Sequence, residues 1–189
     1  MTSVKNLSTK QAATFLSHLR ETMVAAKYSS RSTRNMLIAI LMLDTGIRVG
    51  ELVALSWDSL MLAGTAAATL EISAEAAKTG KARSIPLSTR ARQLIDAYFG
   101  SKPHLVEEKP FPLSARGIQQ MIAAVGLKAC NTRVTPHMLR HTFATRLLAC
   151  SNTAVVQKLL GHVALSSTQV YVHPSAADAS NAIAAMETN

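Results

Sequence analysis

The sequence predicts a mostly helical α+β domain with one small antiparallel hairpin. Three observations support this. Ser, Thr or Asn precedes most of the apolar segments, as helix N-caps do. Only two neighbouring stretches alternate apolar and polar residues at period two. And 48% of the 189 residues are hydrophobic, enough to fill the core of one domain.

Taken in order, Leu7-Ser8-Thr9-Lys10-Gln11 is a helix start, with Ser8 as N-cap and Gln11 closing a capping box. Ala12, Phe15, Leu16, Leu19 and Met23 continue it at helical spacing. A second helix is expected over Ser32–Leu43 with a turn at Gly46, and a short third one over Val49–Leu55. Thr69–Ser73 and Arg83–Leu87 alternate as strands around the polar, Gly-containing tip Lys78-Thr79-Gly80-Lys81, which predicts a hairpin. Ser88 caps a helix reaching about Tyr98, Gly100–Pro112 forms a loop, and Ser114–Val125 is helical again. Thr135-Pro136, an N-cap followed by Pro at the first helical position, opens a helix to about Cys150. Asn152 caps a short helix that Gly161 ends. The expected domain covers residues 1–174, and residues 175–189 form a tail whose Ala-rich stretch Ser175–Met186 has the composition of a helix but a weak polar face.

Charge narrows the function. The formal net charge is +9, and residues 109–177 contain no Asp or Glu. They do contain Lys109, Arg116, Lys128, Arg133, Arg140, Arg146 and Lys158, with His137, His141, His162 and His173. Such a stretch suits a polyanion. The longest apolar run, Met36–Leu43, is far short of the ~20 residues of a membrane span. Met1–Arg20 lacks the layout of a secretory signal, and Cys130 and Cys150 have no metal-type neighbours. A cytoplasmic protein with free thiols is expected, with no membrane partner.

Four clusters carry chemistry. Arg48 follows a glycine turn at a helix start, and Lys78 sits at the hairpin tip beside Lys81 and Arg83. His137 and Arg140 lie three apart on one helical face, and Leu160-Gly161-His162 precedes Tyr171. Together they form a kit for phosphoryl transfer to a tyrosine. Attack on a DNA phosphodiester builds charge on the non-bridging oxygens, and Arg48 and Arg140 can each fork two N–H groups onto them. Tyr171 is the candidate nucleophile, and Lys78 the general acid for the leaving 5′ oxygen. His137 and His162 would donate hydrogen bonds or help move the tyrosine proton. No clustered carboxylates are present to hold a metal, and a tyrosyl phosphodiester conserves the bond energy, so neither metal, ATP nor another cofactor is expected.

Bland readings stand beside these. Arg48 alone would be a surface cation, and Lys81 rivals Lys78 as the acid. His137 and His141 have the spacing of a zinc-binding helix, but Met138 stands where a zinc protease needs Glu. His141 is read as a helper or a packed imidazole, and Tyr98 as core.

The stretches Leu43–Leu52, Lys78–Leu87, Thr135–Thr145 and Leu159–His162 with Tyr171 resemble, in order and spacing, the catalytic domain of the tyrosine recombinase (phage integrase) family. The resemblance implies that family's catalytic fold. It also implies Arg48 and Arg140 as the phosphate-binding pair, Lys78 as general acid, His137 and His162 as supporting imidazoles, and Tyr171 as the residue that becomes 3′-linked to DNA. Glu51 resembles the family's supporting carboxylate, and His141 joins it as support. Lys81, Arg83, Arg133 and Arg146 are further candidate DNA contacts. The implied partners are double-stranded DNA bearing a specific site and three further copies in a homotetramer on two sites, with a monomer possible without DNA. The tail after Pro174 is a candidate for docking on a neighbouring subunit. A bacterial, phage or plasmid origin fits this reading. Typical members carry a helical core-binding domain ahead of this one. Here roughly 40 residues precede the first motif and read as the domain's own opening helices. Either such a domain is absent, or the chain is a fragment that needs a partner for site recognition. A strand-nicking topoisomerase of similar chemistry and a non-catalytic DNA-binding protein are the alternative functions.

Overall fold

The computed structural model describes residues 6–77, 79–100, 109–161 and 174–188. Among them the elements run α1 (Thr9–Ala25), α2 (Ser30–Thr45), α3 (Val49–Ala54), a single 3-10 turn at Trp57–Ser59, β1 (Met61–Leu62), β2 (Thr65–Ala66), β3 (Thr69–Ile72), β4 (Arg83–Pro86), α4 (Thr89–Gly100), α5 (Ala115–Cys130), α6 (Pro136–Cys150), α7 (Thr153–Leu160) and α8 (Ala176–Thr188).

Helix α2 is the axis of the molecule. Its run Leu37–Leu43 is 0–1% exposed throughout, and α1, α4 and α6 pack around it. A helix apolar on every face has to be enclosed in this way, which accounts for the unbroken hydrophobic run. Phe15 of α1, Ile95 of α4, and Leu139 and Phe143 of α6 are fully buried in the same core. Tyr98 is core as expected, its hydroxyl donating to the Pro110 carbonyl at 3.0 Å.

The caps set where the helices begin. Gln11 N–H donates to Ser8 Oγ while Gln11 Oε1 accepts from Ser8 N–H, closing the expected box. Thr135 caps α6 at Met138 N–H and Asn152 caps α7 at Val155 N–H. Helix α2 starts before Ser32 because Ser29, not Ser32, is the cap. Helix α5 continues past the expected end at Val125. Gly126 lies mid-helix because Val134 and the Thr132 carbonyl pack where its Cβ would be (2.4 and 2.6 Å), and Asn131, at φ +48°, ends the helix.

The sheet content is richer than the single predicted hairpin. β3 and β4 pair antiparallel with Leu70 opposite Ile85, and a second two-stranded sheet joins β1 to β2. Its turn is Ala63-Gly64, both at positive φ. Ala in place of the usual Asn or Asp weakens that signal in the sequence.

The tail is a helix seated on its own chain. Ser175 Oγ accepts from Asp178 N–H while Asp178 Oδ2 accepts from Ser175 N–H, a capping box that marks its start. Ala179, Ala182, Ile183 and Met186 are buried, and α8 packs on α6, α7 and β4.

Candidate active site

The site is built around the corner between α2 and α3. Thr45 Oγ1 donates to the Leu41 carbonyl and accepts from Ile47 N–H. Gly46 stands at φ +62°, and a Cβ there would meet Phe143 Cδ1 at 2.4 Å, so only glycine fits both the turn and the packing. The turn delivers Arg48 to the start of α3. Glu51, 2% exposed, accepts from Arg48 N–H at 2.8 Å and from Arg48 Nη1 at 3.1 Å.

Arg140 reaches the same place from α6. It is 7% exposed and donates to the carbonyls of Gly46 and Leu160 (2.7 Å to the latter). Burial, and then the Arg48 charge, push its pKa down to about 10; Glu51 opposes the shift and Arg83 adds to it. The guanidinium stays charged at neutral pH, but its surroundings hold less negative charge than it would take. Burial alone would raise the Glu51 carboxyl. The Arg83 fork and the Arg48 N–H outweigh it, so the carboxyl lies below its usual range.

His137 is exposed on the first turn of α6, its ring edge-on to His141 with centroids 4.9 Å apart. Burial, then His137 and Arg140, lower the His141 pKa, which favours its neutral form. Ile47–Glu51, Ala76, residues 133–137 and Arg140 line a cleft of about 730 Å³. Its far wall is α5, through Arg116, Gln119, Gln120 and Ala123.

The structure therefore brings Arg48, Glu51, His137, Arg140 and Arg133 to one cleft. Lys81 is exposed beside the hairpin tip. Two of the expected DNA contacts are turned inward. Arg83, with a side chain 7% exposed, donates to both oxygens of Glu51 and to the Leu159 carbonyl. Arg146 donates to the Met186 carbonyl and lies 4.0 Å from Asp44, pinning α8 rather than facing the cleft. Within the acid-free stretch, Arg146 thus meets a carboxylate supplied by α2. Lys78, His162 and Tyr171 lie outside the described residues. No group of three or more metal-type ligands occurs among the described residues.

The description "Phage integrase family" matches the chain over residues 5–178. The chain belongs to the phage integrase family. Its relatives include the tyrosine recombinase XerC of Bacillus subtilis (strain 168), 35% identical over an alignment of 157 residues that covers 75% of this chain and 50% of the relative. The tyrosine recombinase XerD of Lacticaseibacillus casei is 35% identical over an alignment of 158 residues that covers 75% of this chain and 51% of its own. The chain thus spans about half the length of the curated relatives it matches. Among solved structures, the XerA recombinase matches with a TM-score of 0.67 at 25% identity, over 97% of this chain and 62% of that one. XerH bound to difH before cleavage matches in fold, with a TM-score of 0.63 at 22% identity over 85% of this chain and 47% of that one.

The fold is therefore that of the family's catalytic domains, mostly helical with small antiparallel sheets. The wall of the cleft on α5 is what the sequence left unmarked. The signal was there: Arg116, Gln119, Gln120 and Ala123 recur at helical spacing on one face, opposite the buried Ile118 and Ile122.

Proposed function

We propose that the chain cleaves and rejoins DNA strands at a specific site through a 3′-phosphotyrosyl intermediate. The observation that carries the reading is the cleft where Arg48 and Arg140 converge with Glu51 as the one carboxylate lining it among the described residues. The Arg48 Nε and Nη2 have no partner among the described residues, and Arg140 is buried beside Arg48 and Arg83 with its two bonds going to carbonyls. A phosphodiester supplies the negative charge. As Tyr171 Oη gives its proton to a neighbouring imidazole and attacks the phosphorus, the added charge on the non-bridging oxygens is met by donors already in place. The bond to the 5′ oxygen breaks, and Lys78 gives that oxygen its proton. His137, on the exposed first turn of α6, donates to the same phosphate, while the edge-on His141 ring orients it. His162 supports the phosphate from the segment after α7. Rejoining reverses these steps.

Arg116, Arg133 and Lys81 take the flanking backbone phosphates, and Gln119 and Gln120 face base edges from the α5 wall. XerH is described in complex with its difH site, which favours double-stranded DNA as the partner here. Assembly of four copies on two sites would move α8 from its own chain to a neighbour's. The experiment uses a pool of nicked duplexes with randomised centres, incubated with the chain in EDTA. Covalent adducts that form with a subset of sequences, and vanish in Tyr171→Phe, support the reading. Adducts that persist in Tyr171→Phe overturn the nucleophile, and adducts formed without sequence preference overturn site specificity.

A further inference from the structure

We propose that Arg83 is a positioning residue, which ties strand β4 to Glu51 and to the end of α7 and so fixes where Arg48 presents the N–H groups that have no partner among the described residues. The proposal rests on the reading that Arg48 grips the reacting phosphate.

Arg83 makes three bonds with three different nitrogens. Nη1 donates to Glu51 Oε1 at 3.0 Å, Nη2 to Glu51 Oε2 at 2.7 Å, and Nε to the Leu159 carbonyl at 3.0 Å. The side chain also lies flat against Gly161, where a Cβ would come within 3.2 Å of Arg83 Cδ. One guanidinium thereby joins the strand that follows the Lys78 tip, the α3 start that carries Arg48, and the backbone that leads into His162.

The arrangement decides how Arg48 can use Glu51. Arg83 occupies the carboxylate's two-oxygen face. Arg48 is left a single side-chain contact at Oε1, together with its backbone N–H on Oε2. Without the fork of Arg83, Arg48 would turn its own fork onto Glu51, away from the cleft, and the pair would be neutral. With it, two guanidinium groups share one carboxylate and a positive charge remains at the cleft. Arg48 is 26% exposed in its side chain against 7% for Arg83, as expected of one group that presents and one that braces. Lysine has no fork and could not bridge both oxygens and a carbonyl at once.

The test has an arm without DNA and an arm with it. In the first, side-chain Nε–Hε NMR signals of Arg48 and Arg140 are assigned by single Lys substitutions and compared between the unmodified chain and Arg83→Lys. The Arg48 signal is expected to shift and broaden while backbone signals of α1 and α2 stay in place. An unmoved Arg48 signal overturns the proposal whatever the DNA results. In the second, adduct formation is timed on a duplex from the selected pool, with either an ordinary scissile phosphodiester or an uncharged methylphosphonate. Arg83→Gln is expected to slow the charged substrate by about 10–100-fold, within reach of the loss of one oriented donor. Duplex affinity and the methylphosphonate rate should stay within about threefold. Equal slowing on both substrates, or none, overturns the proposal. If Arg83→Gln does not fold, Arg83→Lys carries the same comparison. A shifted Arg48 signal with no adduct from the unmodified chain supports the bracing and overturns the phosphate reading instead.

Discussion

Asp44 and Glu51 are two buried carboxylates on either side of one corner, 1% and 2% exposed, and they are used in opposite ways. Asp44 accepts from Ser88 Oγ at 2.6 Å and from both Nε and Nη2 of Arg90, with Arg146 at 4.0 Å. Arg146 goes on to the Met186 carbonyl. The cluster closes on itself and fastens α2 to α4 and α6. Glu51 also holds two guanidinium groups, but Arg48 keeps donors for the cleft and Arg140 stands beside it. The pKa directions separate the two. The Asp44 hydrogen bond outweighs desolvation and raises Arg90, whereas burial followed by Arg48 lowers Arg140. Arg90 is neutralised by its carboxylate, whereas Arg140 is buried beside two other cations and, among the described residues, bonded only to carbonyls.

The largest effect that would sharpen this contrast is on chemistry. Arg140→Gln is expected to slow adduct formation by about 10²–10³-fold, the loss of an oriented oxyanion donor. Its urea midpoint should move little, because relief of repulsion with Arg48 and Arg83 offsets the lost carbonyl bonds. A large fall in stability with a small fall in rate would place Arg140 with the structural cations.

Asp44→Asn should do the reverse. Removing one partner from a buried pair costs about 3 kcal/mol, the low end of the usual range because Arg90 is 39% exposed and can turn to water. Denaturant unfolding measures it, and adduct formation per folded molecule should stay within about threefold. Gly46→Ala comes next, at about 2–3 kcal/mol, combining left-handed backbone strain with the clash against Phe143.

Acid distinguishes the clusters again. The Glu51 carboxyl lies below its ordinary value of 4.5 in the folded chain. Its contribution is therefore complete above that value and is lost as pH falls through the lowered one. Glu51→Gln should flatten the fall in stability measured below about pH 5, and an unchanged slope would break the assignment. The smallest effect is on anion binding: inorganic phosphate at roughly fivefold its Kd should add about 1 kcal/mol to unfolding, and Arg140→Gln should abolish the gain while Asp44→Asn keeps it.

Most of the helical frame was legible because caps and periodicity are local signals. Ser8, Thr135, Asn152 and Gly161 each act within four residues of themselves. The convergence of Arg48 and His137 with Arg140 was legible through motif order. What escaped depends on distance along the chain. Arg83 reads as one more basic residue near a hairpin tip until Glu51 and Leu159 are brought to it, and Arg146 until Asp44 is. The α1-facing length of α5 was cut short at Gly126 because glycine breaks helices on average, while here it admits Val134. The β1–β2 sheet was missed because its turn carries Ala63, and the start of α8 because the Ser175–Asp178 box sits in a segment whose alanines dominate its texture.

The α2–α3 corner is held at three backbone groups: Ile47 N–H by Thr45, Arg48 N–H by Glu51, and the Gly46 carbonyl by Arg140. Ordering such a joint is a cost met once, while the chain is being made. Whatever anion later arrives finds the backbone already frozen, and loses only its own freedom on docking.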